Sequence, residues 1–257
     1  MRILFVIFCA LSFMLGTNIV EAAGYGWGYQ KNNNQEIPDV GKYKEIIEGH
    51  QAYYADFSEE KNIYLTFDNG YEQGYTEEIL DTLKKLNVPA TFFVTGHYVK
   101  DQPALIKRMV EDGHIIGNHS HSHPDFTTLS KEEIKKELDL VKDAVAKISD
   151  QKEMNFLRPP RGTFSEQTLA HAEELGYVHV FWSVAFHDWD TNKQKGWQYA
   201  YDQIIEQIHP GAIILLHTVS EDNAKALERV IVELKRQGYQ FKSLNDLLVK
   251  NNIPSIT

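Results

Sequence analysis

From residue 60 onward this 257-residue chain alternates short apolar runs with amphipathic ones, and that alternation restricts its fold more than any other feature. The extended runs IYLTF, ATFFV, HIIG, FLR, VHVFWSV, AIILLH and YQFKS are each followed by a helical pattern, from TEEILDTLKKL after the first to LNDLLVK after the last. Apolar alternation or a short continuous apolar run marks a strand, and a 3.6-residue period marks a helix, so seven strand–helix units are predicted. Gly113, Gly176 and Gly238 stand just past three of the helical runs, as helix-terminating glycines do. Units of this kind build a parallel sheet with helices outside it.

An open sheet gathers its site at one switch point, whereas a barrel collects residues from the ends of many strands on one face. Here polar residues interrupt the pattern after the first, third, fourth, fifth and sixth strands. Five strand ends converging on one place favour an α/β barrel of seven parallel strands with outer helices.

The interruptions carry chemistry. TFDNG at 66–70 leaves the carboxylate of Asp68 where a buried strand stops, which is costly unless it has a partner or a task. GNHSHSHPDF at 117–126 sets His119 and His123 four apart; such a pair can share a metal, and taken singly it is equally a polar surface loop. LRPPRG at 157–162 puts Arg158 and Arg161 on a turn stiffened by two prolines, and taken singly an Arg there reads as a structural ion pair. FWSVAFHDW offers Asp188 and Trp189. AIILLHT presents His217, and a lone His after such a run is more often packed than catalytic. His50, His97, His114, His171, His179, His187 and His209 fit no comparable pattern and read as ordinary packing or surface residues.

Taken in order, these pieces resemble the family 4 carbohydrate esterases, the polysaccharide deacetylases that share the NodB homology domain. That family's motifs run TFDDG, H-(S/T)-x-x-H, R-x-P-x-G, a segment ending Asp-Trp, and L-x-H. Their counterparts here are TFDNG at 66–70, the run from His119 to His123, RPPRG at 158–162, Asp188-Trp189, and Leu215-Leu216-His217. The resemblance extends over roughly residues 60–250. It implies a distorted (β/α)7 barrel, in agreement with the count of units, and hydrolysis of the acetamido groups of a polysaccharide. It further implies roles: Asp68 as general base, Arg158 keeping it ionised by opposite charge, and His217 as general acid oriented by Asp188. His119 and His123 would be ligands of a divalent metal, zinc by expectation, with position 69 as the third; Arg161, Trp189 and Leu216 would contact substrate. Amide hydrolysis needs an activated water, stabilisation of a tetrahedral oxyanion and a proton for the departing amine, and a metal, a carboxylate and an imidazole can supply these.

Asn69 departs from the family pattern. An amide in place of a ligand carboxylate removes one negative charge, so the metal is expected to be held weakly. Asn69, the following GYEQGY, Arg161, VAFHDW and HTVSEDNAKAL resemble one subgroup. That subgroup removes acetyl groups from N-acetylmuramic acid in peptidoglycan, ahead of muramic δ-lactam formation in spore cortex. Peptidoglycan glycan strands are the expected partner. The other readings are an N-acetylglucosamine, chitin or xylan deacetylase, and a non-catalytic glycan-binding protein with a decayed site. Asn69 speaks for the last of these; Asp68 and His217 speak against it.

A net charge of −10 and a pI of about 5.5 argue against nucleic acid or an anionic membrane surface as a long-range partner. The opening MRILFVIFCALSFMLGTNIVEAA has Arg2, an apolar stretch too short for a comfortable span, and small residues around Ala22, the pattern of a secretory signal over 1–22. An uncleaved N-terminal anchor is the other reading. The expected location is outside the cytoplasmic membrane, in the cell wall or spore cortex, with no membrane insertion after signal removal. Cys9, the only cysteine, lies in this segment, so the mature protein has no disulfide and rests on its core. Residues 23–59, rich in Gly, Asn and aromatics, are expected to form an irregular lead-in to a catalytic domain spanning 60–257.

Overall fold

The structure is a computed structural model and describes residues 24–252; the signal-like segment 1–22, with Cys9, lies outside the described residues. Strands in chain order are β1 (Tyr25–Gly26), β2 (Ala52–Tyr53), β3 (Asn62–Asn69), β4 (Thr91–Val94), β5 (Ile115–Asn118), β6 (Phe156–Leu157), β7 (Thr163–Phe164), β8 (Val178–Val180), β9 (Ala212–His217) and β10 (Gln240–Lys242). β3 pairs in parallel with both β9 and β4, and the order continues through β5, β6, β8 and β2. Just past β8, Val184 bridges to Ile214 of β9, so the sheet curls into a distorted barrel. The seven expected helices are present, at Thr76–Leu86, Pro103–Glu111, Lys131–Ile148, Glu166–Glu174, Trp197–Gln207, Glu221–Arg236 and Leu244–Asn252. Among the described residues no helix is long and apolar enough to cross a membrane.

β3 is buried along its whole length, which explains its nearly continuous apolar run. Side chains alternate between two faces of a strand. In β3 the odd positions Ile63, Leu65 and Phe67 join the large core beneath the helices, while Tyr64 packs inside the barrel with Phe93, Phe156, Val178, Val180 and Ile213. The same parity in β9 puts Ile213 inside the barrel and Ile214 and Leu216 in the helix-side core. Parity therefore sends Asp68 to the barrel interior, at the end where the parallel strands stop.

Two features differ from the sequence reading. The seventh expected strand, β10, does not close the barrel; it pairs with the start of β3, Gln240 opposite Asn62. And residues 24–59 are not irregular throughout: β1 pairs with β7, a helix runs over Tyr43–Glu48, and β2 extends the sheet beside β8. Aromatic packing is the reason. Trp27 stacks on Phe181 at 4.5 Å, and Tyr25, Tyr43 and Phe164 pack edge-on or tilted around it. Each such pair contributes beyond its buried area.

Candidate active site

The β3–β9 register sets Asp68 directly opposite His217 at the barrel mouth. Arg158, the residue after β6, is wholly buried and reaches Asp68: Nη1 donates to Oδ1 at 2.8 Å. Its Nε donates to the carbonyl of Val180 at 3.0 Å, and the guanidinium lies over the Phe93 ring, 4.2 Å from its centroid. Burial would raise the pKa of Asp68, but the Arg158 charge, followed by His119 and His217, holds the carboxyl below the usual range. Asp68 is an ionised carboxylate inside the barrel mouth.

His119 and His123 come from the loop after β5. That loop turns sharply, with Ser120 and His123 both at positive φ (66° and 60°), and Ser120 Oγ accepts from the His123 N–H at 2.9 Å. The rings lie 4.9 Å apart between centroids, at 68°. His119 Nδ1–H donates to the Arg158 carbonyl at 2.8 Å, which leaves Nε2 with a free lone pair, 3.6 Å from Asp68 Oδ2. Burial lowers the pKa of both imidazoles, and that of His123 falls to about 4. Both are neutral near pH 7.

His217 is oriented through two atoms. Asp188 accepts its Nδ1–H at 2.8 Å on Oδ1 and its backbone N–H at 2.8 Å on Oδ2. Asn223 Nδ2 donates to the same Oδ2 at 2.5 Å and to the His217 carbonyl at 3.1 Å, locking the carboxylate in turn. Burial works against the charged imidazole, but the charge and hydrogen bond of Asp188, with the charge of Asp68, raise its pKa above the ordinary value. A carboxylate held ionised and an imidazole whose pKa is raised thus face one another across the mouth.

Cavities of ≈ 390 and ≈ 350 Å³ meet over this group and share Asp68, His119, His123, Trp189 and His217. Arg161 lines the second with Trp182, and its backbone is left-handed (φ 59°). Trp189 is half exposed at the rim. Leu216 needs correcting: it is buried in the helix-side core, and Leu215 lines the cavity instead, because side chains alternate and Leu215 shares a face with His217. Asn69 falls in the odd-numbered set of β3, is fully buried, and is not among the lining residues; Nδ2 donates to Thr218 Oγ1 at 2.8 Å and Oδ1 has no hydrogen-bond partner. Sequence reasoning missed Leu215, Tyr71, Trp182, Asn223 and His187, which stacks on Trp189 at 4.0 Å. Strand parity could have found Leu215, and Tyr71 and His187 lie within three residues of Asp68 and Trp189; Trp182 and Asn223 depend on contacts between distant segments.

The Polysaccharide deacetylase family model matches residues 56–180, which include the first three motifs. The peptidoglycan-N-acetylmuramic acid deacetylase PdaA of Bacillus subtilis is 56% identical over 233 residues, covering 90% of this chain and 89% of that protein. Its structure, titled as that of a family 4 carbohydrate esterase, superposes with a TM-score of 0.87, covering 89% of this chain and 98% of the chain in that structure. This chain belongs to the family 4 carbohydrate esterases. A further family 4 carbohydrate esterase, from Bacillus anthracis, is 48% identical with a TM-score of 0.75, covering 90% of this chain and 98% of that one. The protein is therefore a polysaccharide N-deacetylase, and its distorted barrel is the fold of that family.

Family 4 deacetylases are metal-dependent in general. Among the described residues no set of three or more His, Cys, Asp or Glu is placed to hold a metal ion. What the chain provides at the cavity is two neutral imidazoles, one with its Nδ1–H committed to a carbonyl, while the unpartnered Oδ1 of Asn69 lies outside the cavity lining. That set fits a divalent ion of nitrogen preference with fewer anionic ligands than a carboxylate-containing site.

Proposed function

We propose that this protein is a secreted peptidoglycan deacetylase that removes the acetyl group from N-acetylmuramic acid, providing the free amine from which muramic δ-lactam forms in spore cortex. The observation that carries the sugar assignment is Arg161, in the lining of the cavity that also holds Asp68, His119, His123 and His217. Muramic acid differs from glucosamine by a lactyl ether that bears a carboxylate, and a guanidinium fork recognises a carboxylate through two parallel hydrogen bonds. The likeness to PdaA supports the same reading. Secretion to the wall or cortex rests on the signal-like segment at 1–22.

In this reading Asp68 takes a proton from the attacking water, and Arg158 keeps the carboxylate ionised until it does. His217, with Nδ1–H committed to Asp188, delivers the Nε2 proton to the departing amine nitrogen, so acetate and a free amino sugar result. His119 and His123 would hold a divalent cation, zinc for preference, with Asn69 joining them only by leaving Thr218, and such an ion would supply Lewis acidity toward the amide carbonyl and the water. Trp189 offers the sugar ring an apolar face at the rim.

Amine release from defined glycans, with muramic acid or glucosamine identified after acid hydrolysis, tests the assignment. Muramic acid must lose its acetyl group; conversion of glucosamine alone would assign the enzyme to chitin-type substrates. Arg161→Tyr is expected to lower kcat/KM on peptide-free muramic strands by about 1.5–3 kcal/mol, the loss of a charged hydrogen-bonded contact, and to leave chito-oligosaccharides little changed. Equal small changes on both substrates would make Arg161 a surface residue.

The metal has its own test. Asn69→Asp is expected to tighten Zn²⁺ binding in a calorimetric titration, because a charged oxygen replaces the neutral, unpartnered Oδ1. Unchanged affinity would mean that residue 69 stays with Thr218 and takes no part in holding the ion.

A further inference from the structure

The run Ser220-Glu221-Asp222-Asn223 opens the helix Glu221–Arg236, three residues after His217, and its side chains go different ways. Ser220 caps the helix, its Oγ accepting from the Asn223 N–H at 3.2 Å. Glu221 pairs with Lys225 at the surface. Asp222 and Asn223 are buried and turn to the loop between Asp188 and Gly196, which also carries Trp189. Asp222 Oδ2 accepts from the backbone N–H groups of Lys195 at 2.7 Å and Gly196 at 2.8 Å. Gln194, in the same loop, accepts from Ser220 Oγ at 2.8 Å and donates to the carbonyls of Asp188 and Asp190 at 3.4 and 3.1 Å. Asn223 reaches furthest in, to the Asp188 carboxylate and the His217 carbonyl.

We infer that this first helical turn clamps the proton-donating half of the site, with two adjacent side chains in different tasks. Asn223 is a positioning residue for His217, acting through Asp188; Asp222 is a positioning residue for the loop that bears Trp189. A carboxylate and a carbonyl can only accept, so the Asn223 amide must turn its NH2 to both. Asp188 Oδ2 is then taken by Asn223 and by the His217 backbone N–H, which leaves Oδ1 for the imidazole Nδ1–H. A carboxylate held at both oxygens cannot swing away from the ring, so the other ring nitrogen stays toward the cavity that His217 lines. An aspartate at 223 would set an acceptor against two acceptors, which is the physical reason for a neutral amide directly after Glu221 and Asp222. The inference rests on His217 as the proton donor of the proposed deacetylation, though not on which sugar loses its acetyl group.

Asn223→Ala removes the donor and keeps a strong helix former at that place. On muramic-containing and chitin-type strands it is expected to lower kcat for amine release by roughly ten- to a hundredfold, part of what a positioned proton donor supplies. KM should stay within about twofold, because the contact is not with substrate. In an Asp188→Asn background the same change should cost less than about twofold, since the group it acts through has gone. Asp222→Ala loosens the loop without touching Asp188 or His217 and should do the reverse, raising KM by roughly tenfold while changing kcat less. Asn223→Asp keeps the shape of the side chain without its donor, and gives the same kcat loss if the alanine variant does not fold. Independent, multiplying losses in the double variant, or one kinetic pattern for both positions, overturn the clamp. An Asp188→Asn enzyme near the unmodified rate would instead overturn His217 as the proton donor. Amine release from glucosamine strands alone would overturn the muramic assignment and leave the clamp standing.

Discussion

Asp68→Asn is expected to reduce amine release by roughly 10²–10⁴-fold, the usual contribution of a positioned general base. Asn keeps an oxygen that can accept from Arg158 Nη1, so the mouth of the barrel need not rearrange. It cannot take a proton from water. The substitution also leaves the wholly buried Arg158 without its counter-charge, and losing one partner of a buried pair costs about 3–5 kcal/mol when nothing replaces it. The retained hydrogen bond, together with the carbonyls of Val180 and Phe181, moderates that cost. Activity must therefore be compared on protein whose far-ultraviolet circular dichroism and Tm establish that it is folded. A folded variant with a near wild-type rate would remove Asp68 from the base role.

Asp188→Asn attacks the other half of the site. The carboxylate holds both the Nδ1–H and the backbone N–H of His217, and a neutral amide at this place can present its NH2 to Nδ1 and so favour the wrong tautomer. In a buried carboxylate–imidazole pair of this kind the loss in kcat reaches about 10⁴-fold. The pH profile should move as well, and its sign is determined. Asp188 raises the pKa of His217, so the protonated acid persists to higher pH than an ordinary imidazole would allow. Removing the charge lowers that pKa, and the basic limb of kcat/KM against pH should shift toward acid. The acidic limb, set by Asp68 becoming protonated, should stay where it is, because Arg158 rather than Asp188 holds that carboxyl down. A lower rate with an unmoved basic limb would show that Asp188 positions a group other than the acid.

The two substitutions act on groups that face each other across one strand pair, so their effects should not add. Once either the base or the acid is lost, the remaining turnover depends on substrate binding and on whatever Lewis acidity the site holds, and the second substitution has less left to remove.

Much of this protein is determined by local sequence. The alternation of apolar runs and amphipathic helices dictates parallel strand–helix units, because burial on both faces of a parallel sheet demands continuous apolar strands and one-sided helices. The residues that interrupt those runs follow strand ends, and the ends of parallel strands meet on one face; Asp68, Arg158, Asp188 and His217 were legible for that reason. Tertiary structure decided what depends on distant partners. Whether Leu215 or Leu216 meets the cavity follows from the facing of β9, and the amide of Asn69 is engaged with Thr218. The Gly- and Asn-rich stretch before residue 60 showed no local period, yet its aromatics bury against Phe164 and Phe181 and its backbone is tied to Gly162. Periodicity is written along the chain, whereas the meeting of Trp27 with residues more than a hundred positions away exists only once the barrel has closed around them.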